Sequence, residues 1–232
     1  RVSNMRIVTW NCNLNFKAKF DIISAVKPNL LIVQECEQLP KDYFPNAEYL
    51  WVGRNPKKGL GVLIFDGVGS ISPEYDDKYI EFLPINSDFG HLLGVWAFNQ
   101  RSKKYGEDVK GHMLQALEKY EPILADENTI GVIGDFNNSI VWDKPKSSLT
   151  FQKAAEKFEA FGMFSAYHKS SNENFGNETK ATFYHTKKQE KTYHIDYMFT
   201  RKNASVEIGN YEDWIQYSDH MPLVINLSNE SI

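Results

Sequence analysis

The sequence predicts an α/β domain built from mixed β-sheets with helices on the outside. Seven apolar runs, at 6–10, 30–34, 61–65, 91–98, 130–134, 195–199 and 221–227, read as strands. Helical periodicity occurs at 16–26, 109–124 and 150–161. Strands outnumber helices and do not alternate strictly with them, which indicates mixed sheets in one α/β unit.

In chain order, "RIVTWNCN" is a strand ending in Asn11 and Asn13, two apart and so on one side of the strand end. After the first helix, "LLIVQEC" reads as a fully buried strand with Glu35 at its end. "KKGLGVLIF" is a Gly-rich strand, and "HLLGVWAFNQ" carries Trp96 and Asn99. The second helix gathers Met113, Leu114, Leu117, Tyr120 and Leu124 on one stripe. "TIGVIGDFNNS" places Asp135 and Asn137 just past a strand. The third helix buries Phe151, Ala154, Ala155, Phe158 and Phe161. "YHIDYMF" embeds Asp196 among apolar residues, and "QYSDHMPLVI" sets Asp219 and His220 before the last strand.

No linker, repeat or low-complexity segment divides the 232 residues, so one domain over 1–232 is expected. Apolar content of 42% and charged content of 24% suit a chain with a substantial core. No apolar run approaches the roughly 20 residues of a membrane helix, and "RVSNMRIVTW" carries no signal-peptide core; a cytoplasmic monomer without membrane partners is expected. Cys12 and Cys36 read as buried free thiols. A net charge of −4 argues against a protein that coats polyanions, but not against an enzyme that neutralises phosphate with a metal ion and local lysines.

Polar residues close nearly every apolar strand, and strand ends that share a sheet edge are a rigid place to build a site. Singly, each has an ordinary reading. Gly-Asp-x-Asn can be an Asx turn, Glu35 a lysine partner, Asp196 a loop cap and His220 a core histidine. Asp219 is badly placed to hold the ring of His220, because adjacent residues of an extended chain point to opposite sides.

Jointly, Trp-Asn, Gln-Glu, Gly-Asp-Phe-Asn, Ile-Asp-Tyr and Ser-Asp-His-x-Pro-Leu, in that order over about residues 5–227, resemble the endonuclease/exonuclease/phosphatase superfamily. The resemblance implies a four-layer α-β-β-α sandwich of two mixed sheets flanked by helices. It implies that Asp196 partners His220, that Glu35 is the principal ligand of Mg²⁺ (Mn²⁺ as substitute), and that Asn13 and Asp219 lie on the metal side. Asn11 would sit beside the metal and the scissile phosphate, and Asp135 and Asn137 would orient water and a phosphate oxygen. The implied reaction is in-line attack of water on a phosphoester.

Two departures stand out. Asn13 replaces the Asp of the repair nucleases, and Trp96 stands where they place a phosphate-binding Tyr. Asn99, Arg101 or Lys103 are the candidates for the lost phosphate contact. His91, His112, His168, His185 and His194 match no motif, and surface or core roles are expected for them. "GDFNNS" and "HIDYMF" disfavour the inositol phosphatase branch, and the lack of a second catalytic His disfavours sphingomyelinase. "KKGLGVLIF" and "ATFYHT…KTYHIDYMF" resemble the abasic-site endonucleases, with Phe183, Tyr193 and Ile195 at the positions of a sugar pocket. The expected substrate is DNA. RNA or a small or lipid phosphoester is the alternative substrate, and a catalytically weak phosphate-binding module is a reading of another class.

Overall fold

The computed structural model describes residues 4–99, 103–104 and 107–228. Strand β1 (Asn4–Asn11) leads through helix α1 (Phe16–Ser24) to β2 (Leu30–Cys36) and the hairpin β3 (Ala47–Asn55)–β4 (Lys58–Phe65). Next come β5 (Gly69–Ile71), β6 (Phe82–Ser87), β7 (Gly90–Trp96) and a short ribbon, β8 (Lys103–Lys104) with β9 (Glu107–Asp108). Helices α2 (His112–Lys119) and α3 (Glu121–Ala125) precede β10 (Thr129–Asp135), and α4 (Phe151–Ala160), β11 (Phe164–Ser165) and α5 (Ala166–Ser171) follow it. A second ribbon, β12 (Phe183–Tyr184) with β13 (Thr192–Tyr193), leads to β14 (Asp196–Thr200), β15 (Ala204–Ile208), α6 (Tyr211–Trp214) and β16 (Leu223–Ser228).

Two six-stranded sheets result, ordered β15-β16-β1-β2-β4-β3 and β11-β14-β10-β7-β6-β5. Both have the same pattern. The central pair is parallel (β1 with β2, β10 with β7) and every flanking pair is antiparallel. A parallel pair delivers both carboxyl ends to one edge, so Asn11 and Glu35 emerge together, as do Asp135 and Trp96.

The apolar runs are continuous because each strand is covered on both faces. Ile7, Leu30, Ile32, Leu92, Ile133 and Met198 belong to the core between the sheets. Their neighbours Val8, Leu31 and Val33 pack with Phe16 and Ile23 of α1. On the other side Leu93 and Val132 pack with Leu117, Phe151 and Phe158 of α2 and α4. This is the expected four-layer sandwich. The helix expected over 109–124 is broken, because Pro122 lacks an amide hydrogen and cannot continue α2. Of the strands in the two main sheets, β3, β5, β6, β11 and β15 were not legible as apolar runs: β3 and β15 interleave exposed or half-buried residues, β6 contains Pro84, and β5 and β11 are two or three residues long. Cys12 and Cys36 are free and buried, as expected. No helix among the described residues is long and apolar enough to cross a membrane.

Candidate active site

The strand-end residues meet at one edge. Asp135 and Asp196 are register partners across β10 and β14, so their side chains share a face. Glu35 sits in a bulge of β2 against β4, at φ 59°, a conformation a non-Gly residue rarely adopts. The bulge re-aims its side chain. Asn13, Leu14 and Asn15 also have positive φ, and the resulting turn is tied down by Lys19. Its ammonium donates to Cys12 O and Tyr217 O, each at 2.6 Å, and to Asn13 O at 3.3 Å.

His220 is paired with Asp196, not Asp219. Its Nδ1 lies 2.9 Å from Asp196 Oδ2 and 3.2 Å from Oδ1, and its Nε2 is 3.7 Å from Asp135 Oδ2. Asn11 Nδ2 donates to Asp135 Oδ2 at 2.9 Å and to Glu35 Oε1 at 3.2 Å, joining the two carboxylates. Asp135 Oδ1 accepts from Asn137 N–H at 2.8 Å, and Asn137 Nδ2 donates to Ala97 O at 2.9 Å. The backbone carrying this network is held in turn. Ser218 Oγ donates to Asn11 O and accepts from His220 N–H, while Thr182 Oγ1 accepts from Ile195 N–H and Asp196 N–H.

Asn11, Asp135, Asp196 and His220 are all buried. Burial pushes the Asp135 carboxyl up to about 7, against the lowering effect of His220. Burial alone would lower His220, but Asp196 and then Asp135 outweigh it and raise the imidazole to about 10. Asp135 and His220 therefore shift each other in a buried space and titrate together.

Asp135, Asp196 and His220 bring ligand-type atoms within 4.8 Å of one another. Asp196 is already bonded to His220 through Nδ1. Glu35 is more open, 19% exposed in its side chain, with Lys58 Nζ 3.4 Å from Oε2. The anionic oxygens along this edge form a hard donor set that fits a divalent cation of the Mg²⁺ type.

The remaining expected residues divide. Asn13 is half-buried in the turn and donates its N–H to Asn11 Oδ1 at 3.0 Å. Asp219 is half-buried too; its carbonyl accepts from Tyr184 N–H, and its carboxylate forms no hydrogen bond with a described residue. Trp96 is flanked by Lys58 and Lys104, at 5.6 and 5.8 Å from its ring centre. Phe183 stacks on Tyr193 across the β12–β13 ribbon at 6.2 Å, and its ring centre is 4.7 Å from that of His220. Ile195 needs correcting: it is 1% exposed, in the core, and offers a sugar no open surface. Asn99 lines a cavity beside α2. Arg101 lies outside the described residues. Sequence reasoning missed Lys19, Thr182, Ser218 and Trp142, whose ring is 4.9 Å from Tyr193. All four act through contacts distant in sequence, and only Thr182, inside "ATFYHT", and Ser218, inside the Ser-Asp-His stretch, carried a local signal.

Two mixed sheets face to face, helices outside, and acids gathered at the carboxyl ends of the central strands define the endonuclease/exonuclease/phosphatase fold, and this chain has it. It is similar to a 3'-5' exonuclease from Neisseria meningitidis, with TM-score 0.72 and 17% identity over 97% of this chain and 100% of that one. An AP endonuclease from Archaeoglobus fulgidus gives 0.66 and 16%, over 95% and 98% of the two chains. TDP2 from C. elegans gives 0.64 and 13%, over 97% of this chain and 75% of that one. At such identities the likeness establishes the fold. No family model matches the sequence, and no curated protein does.

Proposed function

We propose that the chain is a divalent-metal-dependent phosphodiesterase acting on nucleic acid, with DNA as its substrate. The observation that carries this reading is the His220–Asp196 pair, whose second ring nitrogen faces Asp135 while Asn11 links Asp135 to the open carboxylate of Glu35. The fold neighbours named as an exonuclease, an AP endonuclease and a 3' phosphatase bound to product DNA hairpin support a phosphoester substrate.

A water beside His220 Nε2 and Asp135 Oδ2 would lose its proton to the Asp135 carboxylate as its oxygen attacks phosphorus and the bond to the leaving oxygen breaks, with the charged His220 ring donating beside it. Asp196 fixes the ring and keeps it charged. Asn137 uses one of its two side-chain N–H bonds on Ala97 O, which leaves the other for a non-bridging phosphate oxygen. Glu35, with Asp219 and Asn13 beside it, would hold Mg²⁺ or Mn²⁺, which stabilises charge on the phosphate and leaving oxygen. Asn11 keeps Glu35 and Asp135 in register. Phe183 and Tyr193, beside His220, form an aromatic wall suited to a base-free sugar, which favours cutting at abasic sites.

The test is a substrate panel with and without Mg²⁺: abasic duplex, intact duplex, single-stranded DNA, RNA and small phosphodiesters. Metal-dependent cutting of DNA, fastest at the abasic site, is expected. Faster turnover of RNA or a small phosphodiester would overturn the DNA reading and keep the chemistry. No hydrolysis of any of them would overturn the enzyme reading.

A further inference from the structure

A cavity of about 210 Å³ lies between the segment after β7, the start of α2 and the loop after β10. It is smaller than the roughly 300 Å³ at which pockets hold a whole drug-sized molecule, so a single ring system is the scale that fits. Its walls include Phe98, Val109, Met113, Leu114 and Leu149, with Lys110 and Lys144 also lining it.

The chemistry is set by two amides. Among the described residues, six buried side-chain polar atoms lack a hydrogen-bond partner, and three of them (Asn99 Oδ1, His112 Nδ1 and Asn138 Oδ1) belong to residues lining this cavity. His112 Nδ1 has Glu81 Oε1 3.9 Å away, beyond hydrogen-bond distance. Asn138 is 1% exposed, and its nitrogen donates to Phe136 O at 2.7 Å and Phe98 O at 3.0 Å. That fixes which end of the amide is oxygen, and the oxygen is the end left over. A buried acceptor without a partner costs about 1–3 kcal/mol, and a ligand donor would relieve it.

We propose that this cavity is a nucleobase subsite that takes a base bearing an exocyclic amino group, with Lys110 and Lys144 meeting its phosphate. An amino group, as on adenine or cytosine, donates to Asn138 Oδ1 or Asn99 Oδ1. Uracil offers one ring N–H flanked by two carbonyls, which would face amide oxygens. The apolar walls take the ring faces. The subsite adjoins the catalytic edge through consecutive residues: Asn137 precedes Asn138, and Ala97, which accepts from Asn137, precedes Phe98 and Asn99. A nucleotide flanking the scissile phosphate would then be selected by its base. This role rests on the nucleic-acid reading; the binding itself does not.

The probes are AMP, CMP and UMP, followed by NMR of the full chain through the Met113 methyl signal. AMP and CMP should bind about tenfold more tightly than UMP, the effect of one hydrogen bond to a buried acceptor. Leu149→Trp, which fills the cavity from a half-buried loop position, should abolish that preference. Lys144→Ala, at an exposed position, should weaken all three alike and keep it. No shift of the Met113 methyl, or equal affinities, overturns the proposal. A chain that cuts oligonucleotides but shows no such shift overturns the subsite alone. One that binds AMP here but cuts no oligonucleotide overturns the nuclease reading and leaves the subsite standing.

Discussion

Two buried histidines in this chain hold a carboxylate at the same distance, yet their second ring nitrogens differ. His220 Nδ1 lies 2.9 Å from Asp196, and His168 Nε2 lies 2.9 Å from Glu178. Around His168 the second nitrogen is occupied as well, by Ser165 Oγ at 2.6 Å, and Phe175 stacks on the ring at 4.0 Å. The Ser165–His168–Glu178 arrangement looks like a hydrolase triad, but Ser165 is the N-cap of α5 and every polar atom is satisfied. Among the described residues, His220 Nε2 makes no close hydrogen bond and lies 3.7 Å from Asp135 Oδ2, on the edge where Glu35 opens to solvent. A second nitrogen facing an acid, in place of one sealed by a hydroxyl, is what assigns the proposed chemistry to His220 and a packing role to His168.

The largest expected effect follows from that contrast. His220→Ala and Asp196→Asn should each lower the rate of phosphodiester hydrolysis by about 10²-fold or more. The double variant should be little worse than the worse single, since groups acting as a unit are not additive. His168→Ala should leave the rate per folded molecule within about threefold, but destabilise the chain by about 2–4 kcal/mol through two orphaned buried groups. Melting curves beside initial rates would break the comparison if His168→Ala lost rate without losing stability.

Next in size is the metal side. Glu35→Gln keeps the shape and removes the charge, so EDTA should abolish wild-type activity and Mg²⁺ or Mn²⁺ should restore it. The variant should need about 10–100-fold more metal for half-maximal rate, the scale of losing a partner around a metal ion. Because Lys58 lies 3.4 Å from Glu35, its melting temperature should change little. Unchanged metal demand would remove Glu35 from the site.

A smaller effect is a stability slope measured in EDTA. The pKa of His220 is raised from 6.5 to about 10, so its contribution is fully present below pH 6.5 and is lost as pH rises through about 10. His220→Gln should lack that alkaline loss. Equal slopes for wild type and variant between pH 7 and 10 would show that the ring is not held charged by Asp196 and Asp135.

Most of this site was legible because its residues end apolar strands. Asn11, Glu35 and Asp135 close runs whose burial on both faces leaves no ordinary reason for a polar terminus, and the central parallel pairs bring those ends together. The His220–Asp196 pairing was reachable by excluding Asp219 on strand geometry, with the resemblance supplying the partner. What stayed hidden depends on tertiary contacts. Lys19 works through carbonyls of Cys12 and Tyr217, and Trp142 reaches Tyr193 from a turn after β10. Ile195 was misplaced because a β-like stretch does not show which alternate residue faces inward until its partner strand is known.

The smallest expected effect concerns the aromatic wall, which sharpens the comparison from the substrate side: Phe175 seals the ring of His168, whereas Phe183 leaves an edge of His220 beside an open ribbon. With Ile195 in the core, the wall consists of Phe183, Tyr193 and Trp142. Extruding a paired base costs a few kcal/mol, and least when the base is absent. A wall of rings would admit a bare sugar and resist one carrying a base on size. Duplex DNA with an abasic site should therefore be cut faster than the same duplex intact, and Tyr193→Ala should narrow the ratio severalfold by opening the wall. The change should fall on the intact duplex, whose rate rises, more than on the abasic one. A ratio unmoved by Tyr193→Ala would assign Tyr193 to packing against Trp142, and the His220 chemistry would be unaffected.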